Sequence, residues 1–552
     1  MQLLDLPAEI LTEVLRRSLS DPDEGVWLEL NLPLVAVCRR LRYIALPLVY
    51  KEAYMDAFDY DTSWRDKFNV DLSRGKRRHR APSHQGAHGH WVAVSNVDLI
   101  VSLGYTGLVK HMGIAIASGY GHVVGLRLVV RHLCNAASEW PTVQRLDISM
   151  SEPTVSRPIG YEVEDSDRSN EFAKHALALR AMLPNACELC FEDIRILPDP
   201  TFGVQLTQHY HQQLRMLHFD APADVPPNIS FPQLRDLHFA GTGSFPDCIP
   251  RVDAAKLECL KLHRVHPFHS WAAFGADNSG RVLEFSALMS LDVDFWSGIN
   301  IGSASASQDG CNLKLSFPLL RSARIHCSSG PCPELASAVF PRSMGSLDIQ
   351  VSAPVWQSIS HMELPVATRL KLGIPWTTNS DTRLPLSFNQ LLANSHQCRE
   401  VTMRAYSHDP LSFFPGIAFT GLTGLAVEEP ISADMLLDII GKLPRLVTLV
   451  ATRSTRDPIQ ADIAIPGPGK CHPIEPLGAK LQRLSYGQED TRELSRANIE
   501  LYQYLLLKLP SLQSFGAGDH REKKLKAFVK THRKWYPHLA GVNFGCIEYR
   551  GI

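Results

Sequence analysis

The chain lacks any uninterrupted apolar run near the roughly 20 residues that a bilayer-spanning helix needs, so no membrane partner is expected. It also lacks a charge imbalance, with 56 Lys and Arg against 57 Asp and Glu. Near-neutrality argues against a generalised binder of nucleic acid or anionic membrane, though it leaves local basic patches open. Its twelve cysteines follow no framework of spacings and read as free thiols of an intracellular chain, cytoplasmic or nuclear. The common catalytic signatures are missing: there is no Gly-x-Ser-x-Gly, His-Glu-x-x-His or dinucleotide fingerprint. IPGPGKC at 465–471 fails as a phosphate loop, because its first Gly is misplaced and Cys471 stands where Ser or Thr would hold the metal. Cys187 and Cys190 have metal or redox spacing without a second pair nearby, and Cys327 and Cys332 flank a loop-like SSGP. No catalytic residue, metal ligand or cofactor is therefore assigned. A hydrolase with dispersed residues stands only as a remote alternative.

What the chain does have is a phrase that returns. Its form is apolar-x-x-apolar-x-apolar, often opened by an aromatic residue or Leu followed by Pro: WPTVQRLDI, FPQLRDLHF, FPLLRSARI, LPRLVTLVA, YPHLAGVNF. It starts at Val109, Met112 and Ile114 and ends at Leu539, Val542 and Phe544. Apolar-x-apolar alternation predicts a strand with one buried face, and the apolar residue three positions earlier anchors the turn into it. Helix-like stretches lie between, such as MLLDIIGKL after a capping Ser432. About sixteen such units at a mean spacing of roughly 28 residues predict stacked rungs in place of one closed core.

The first fifty residues carry two apolar helical stripes. One is Leu6, Ile10, Leu11, Val14 and Leu15, where Pro7 suits a first helical turn; the other is Leu34, Val37, Cys38, Leu41 and Ile44, stopped by Pro47. The opening MQLLDLPAEILTEVL holds Asp5 and Glu9 and no basic start, so it reads as an amphipathic helix and not as a secretory signal. So short a segment buries too little surface to stand alone and needs a cover.

The strings LPAEIL (6–11), VCRRLR (37–42) and LVY (48–50) resemble an F-box, with Leu41 where Trp is more common. Together with the phrases downstream, the chain resembles F-box proteins with irregular leucine-rich repeats. The resemblance implies an α/β fold: an N-terminal helical F-box (1–50), then a curved leucine-rich-repeat solenoid (106–552) with a parallel sheet and outer helices. It implies docking on a Skp-type adaptor, and through it on a cullin–RING ubiquitin ligase, with Leu6, Pro7, Ile10, Leu11, Leu34, Val37, Cys38, Leu41 and Leu48 as the docking surface or its support. The repeats would hold an unknown protein substrate, and catalysis would belong to other subunits. The alternative is a repeat scaffold without a ligase role.

Residues 51–105 read as a linker, with a basic, His/Gly/Pro-rich segment at 71–91 around Lys76-Arg77-Arg78-His79-Arg80. Within each strand, the residue between the last two anchors points to the open, concave face. There the candidates for target contact are His218, His238, Lys261, Arg324 and Lys371, followed by a small apolar strip at Ala426 and Val450.

Overall fold

The computed structural model describes residues 7, 10–12, 39–59, 84–86, 89–117, 122–151, 165–192, 201–219, 229–240, 251–265, 274, 282–295, 314–327, 338–351, 366–374, 398–405, 422–453, 476–478, 480–487, 496–516 and 519–544. They belong to two compact units, Met1–Gly275 and Ala276–Ile552.

The recurring phrase folds as a turn feeding a strand. Where it opens on an aromatic residue or Leu followed by Pro, the Pro takes the second place of a four-residue turn, which its fixed φ suits. The first residue's carbonyl accepts a hydrogen bond from the N–H three positions on: Trp140 from Val143, Phe231 from Leu234, Phe317 from Leu320, Leu443 from Leu446, Leu509 from Leu512, Tyr536 from Leu539. The turn thus buries its opening residue and its anchor together: Trp140 and Val143 are both fully buried.

In the first unit the strands are β1 (Glu52–Asp59), β2 (His84–Gly86), β3 (Gly89–Ser95), β4 (His111–Ala117), β5 (Arg145–Ser151), β6 (Glu188–Glu192), β7 (Met216–Phe219), β8 (Ser230–Phe231), β9 (Asp236–Ala240), β10 (Arg251–Val252) and β11 (Cys259–Val265). From β1 through β4, β5, β6, β7 and β9 to β11 every neighbour is parallel. Register follows the phrase: Met112, Leu146, Leu189, Leu217, Leu237 and Leu260 stand opposite one another in turn. None of the eighteen anchors from Val109 to Leu262 exposes more than 4% of its surface. At about 1.5–3 kcal/mol for each large side chain moved from water, these anchors are the main cohesion of the unit.

The second unit holds β12 (Val282–Glu284), β13 (Ser290–Phe295), β14 (Lys314–Ser316), β15 (Ser322–Cys327), β16 (Ser343–Val351), β17 (Val366–Ile374), β18 (Glu400–Ala405), β19 (Gly424–Ile431), β20 (Thr448–Arg453), β21 (Arg483–Gly487), β22 (Ser514–Gly516) and β23 (Asn543–Phe544). A parallel ladder runs from β13 through β15 to β23, with the central anchors opposite one another from Leu291, Ala323 and Leu347 as far as Phe515; at the last step Phe515 faces Phe544, the third anchor of its phrase, and not the central Val542. Two units of in-register parallel strands, each with one anchored face, make a leucine-rich-repeat-like architecture.

The helices are α1 (Arg39–Val49), α2 (Val97–Ser102), α3 (His122–Ala136), α4 (Asp165–Met182) and α5 (Thr201–Tyr210), then α6 (Ala433–Lys442), α7 (Arg496–Lys508) and α8 (Asp519–His532). Helix α4 packs on both α3 and α5, and α8 packs on α7. Ser432 caps α6 as its sequence predicts: Oγ accepts from the Met435 N–H at 3.2 Å, and Leu436, Ile439 and Ile440 face inward.

Three expectations change. The outer layer is not helical throughout. Leu217 and Leu237 are twenty positions apart, and strand plus turn leave that rung little room for a helix; short strands substitute, β8 pairing with β10 and β12 with β14. Nor is 51–105 a plain linker. Strand β1 pairs parallel with β4, and its other edge is covered by antiparallel β3, so the sheet begins at Glu52. Segment 71–91 contributes the β2–β3 hairpin, with Gly86 opposite Gly89; its run 76–80 lies outside the described residues. Finally, Pro47 does not stop α1, which continues to Val49. A proline so near the end forfeits a single bond, and the Tyr50 N–H still reaches the Leu46 carbonyl at 3.0 Å.

Candidate functional site

In the first unit the open-face row reads Gly113, Asp147, Cys190, His218, His238, Lys261, each opposite the next. At one end, His111 Nε2 lies 2.7 Å from Asp147 Oδ2, and its Nδ1 is 4.0 Å from Glu52 Oε1. Arg145 Nε donates to Asp147 Oδ1 at 2.8 Å. Burial opposes the charge on His111, but the hydrogen bonds to Asp147 and Glu52 overcome it and raise its pKa to about 9. The bond from His111 lowers Glu52 to about 2. Asp147 is held below the usual carboxylate range: bonds from His111 and Arg145 outweigh its burial. This cluster ties β1, β4 and β5 together on the side away from the anchors.

Beside it, Cys190 Sγ lies 3.0 Å from His218 Nδ1, His218 stacks on His238 with ring centroids 3.8 Å apart, and His263 meets His238 edge-on at 5.1 Å. Burial, then the neighbouring His218, His263 and Lys261, pushes His238 down to about 3. His238 is therefore neutral at physiological pH. Thiol and imidazole have the spacing of a nucleophile and its base, but Cys190 is 1% exposed and out of reach of a substrate. Among the described residues, no group of three or more His, Cys, Asp or Glu side chains is placed to hold a metal ion.

The second unit's row reads Asp292, Arg324, Asp348, Lys371, Thr402, Ala426, Val450 and Ser485. Arg324 sits between two acids, its Nη1 3.8 Å from Asp292 Oδ2 and its Nε 3.8 Å from Asp348 Oδ2. Burial raises the Asp348 pKa, against the pull of Gln350, Lys371 and Arg324. The expected apolar strip is not open: Ala426 exposes 4% of its surface and Thr402 4%, so the chain itself covers this stretch, while Val450 is half-buried. Ala426 is thereby corrected from a contact residue to a buried one. His218, His238, Lys261, Arg324 and Lys371 remain on the open face, Arg324 the most exposed of them.

Of the N-terminal residues, Pro7 is exposed, Ile10 is 50% exposed, Leu11 is fully buried and Leu48 is half-buried. Leu11 thus supports a surface instead of forming it. Leu6, Leu34, Val37 and Cys38 lie outside the described residues; Leu41 falls within α1. Tyr50 packs on Tyr105, ring centroids 5.0 Å apart, which joins α1 to the start of the sheet.

A polar row escaped the sequence reading. The residue just before the first anchor reaches back to the preceding rung's carbonyls: Thr142 Oγ1 to Val109 at 2.8 Å, Asn185 Nδ2 to Pro141 at 2.8 Å, Gln213 Nε2 to Pro184 at 2.9 Å, Lys256 Nζ to Pro232 at 3.0 Å. These residues differ in type and share only a position, so no motif flagged them. The recurrence of a polar residue before Val143, Ala186, Leu214 and Leu257 was the available signal.

No protein-family model matches the chain, and no curated protein matches it. Among solved structures, the TLR13–ssRNA13 complex is similar at 13% identity, over 74% of this chain and 57% of that one, with a TM-score of 0.31. This chain therefore spans just over half the length of the TLR13 chain it matches.

Proposed function

We propose that this chain is a non-catalytic, intracellular protein-binding module, cytosolic or nuclear: the substrate-recognition subunit of a Skp–cullin–F-box ubiquitin ligase. What carries the reading is the F-box-like pattern of residues 6–11, 37–42 and 48–50, with Ile10 half exposed over a fully buried Leu11, directly ahead of the first strand. The pattern suits a helical segment that keeps one apolar side for a partner. A Skp-type adaptor would cover that side, and the open face of the rungs, with Arg324, Lys371, His218, His238 and Lys261, would hold a protein target. The work asked of the chain is positioning: holding the target at high effective concentration near the transfer machinery.

Affinity purification tests it. The full chain captures the adaptor and cullin, and Ile10→Glu, at an exposed position that leaves the core intact, abolishes that capture. Wild-type chain that never captures the adaptor points instead to a repeat scaffold without a ligase role.

A further inference from the structure

We propose that the outer side of the last rung, formed by α8 and the edge strand β23, binds an acidic segment of a partner protein in extended conformation. The charge there is lopsided. Residues 519–544 carry seven Lys and Arg against Asp519 and Glu522, a net of +5, in a chain whose total is −1. Lys523, Lys524, Lys526, Lys530, Arg533 and Lys534 are all exposed. Solubility of an outer face asks for charge of either sign, not for cations gathered together.

Lys526, Lys530 and Arg533 share one helical face and line a recess of about 520 Å³. Its floor is Val529, Leu539, Ala540, Val542 and Phe544, and among the described residues no carboxylate is part of its lining. Strand β23 forms one wall. Among the described residues it pairs only with β22. The Asn543 N–H is used toward β22, donating to the Gln513 carbonyl at 2.8 Å. Alternation along the strand turns the Phe544 N–H and C=O to the other edge, where an added strand would take them up.

A strand with acids at alternate positions offers its backbone to β23 and turns those acids, all on one of its faces, toward Lys530 and Arg533, while its remaining side chains project to the opposite face. Helix α8 is a poor membrane ligand by comparison, since its apolar residues Leu525 and Phe528 are already buried.

The test uses the full chain and a labelled peptide alternating Glu with Thr, in about 0.15 M salt. Saturable binding is expected, weakened at least about tenfold by Lys530→Glu with Arg533→Glu and likewise by Lys530→Gln with Arg533→Gln, but unchanged by Lys480→Glu in the same unit. A peptide alternating Glu with Pro keeps the charge but cannot add a strand, and is expected to bind at least about fivefold more weakly. Four results overturn the proposal: no binding by wild type; equal binding of the Pro peptide; phosphatidylserine vesicles that hold the chain against the peptide; or binding that appears only once residues 545–552 are removed, which would make the chain's own tail the occupant. Unchanged melting of the double variants excludes misfolding, and adaptor capture in the same samples reads the N-terminal function separately.

Discussion

His111 Nε2 meets Asp147 Oδ2 at 2.7 Å across the β4–β5 boundary, with Glu52 of β1 on the imidazole's other side. A histidine held at about 9, against 6.5 when free, stabilises fully below about pH 6.5, and that contribution fades as pH climbs through 9. Glu52, lowered to about 2, contributes above about 4.5 and loses its share as pH falls toward 2. Denaturant midpoints of wild type and His111→Ala should thus differ most between about pH 4.5 and 6.5 and converge near pH 10. A gap that stays constant with pH would show that packing, not charge, is what His111 supplies.

His238 has the opposite sign. Its folded pKa of about 3 lies below that of the unfolded chain, so it withdraws stability as pH drops below about 6.5. Its imidazole proton shifts in NMR should stay flat between about pH 5 and 8. A titration midpoint near 6.5 would mean that the stacked pair with His218 opens in solution.

Two glycines of the second unit should behave oppositely. Gly478 has φ +59°, and a Cβ there would lie 2.7 Å from Ile440 Cγ2, so Gly478→Ala is expected to cost about 1–3 kcal/mol. Gly441 lies within α6 with open space around its Cα, so Gly441→Ala should add about 0.5–1 kcal/mol. Denaturant titration of both variants checks the pair.

Gln213 donates from one Nε2 to the carbonyls of Pro184 and Ala186, at 2.9 and 2.6 Å. Gln213→Leu leaves both acceptors without that donor and should cost about 1–3 kcal/mol, far above the usual effect of a surface change. Amide exchange at Leu214 and Arg215 should quicken ahead of the rest of the first unit.

The rungs were legible because their signal repeats and their register follows from it. Each triplet such as Leu214, Leu217 and Phe219 sets its own strand, and burial of one face leaves a single way to align it with the next. Strands β1 and β3 were not legible. Tyr54 and Trp91 lie in stretches whose Asp, His and Gly content resembles a linker, and their pairing depends on partners far along the chain. On the open face, the sequence indicated which residues share a row but not their state. Ala426 looked exposed by alternation yet is buried, and the neutrality of His238 depends first on its burial and then on imidazoles from other strands.

Each Pro-containing turn closes within four residues of its own rung, so strand alignment does not depend on how much chain intervenes between rungs. Excising one whole period should therefore leave the flanking strands able to rejoin in step, whereas losing a single residue inside a strand would turn its greasy side chains outward. Such a molecule can be lengthened or shortened by whole modules, and its reach adjusted, without redesigning any part of what remains.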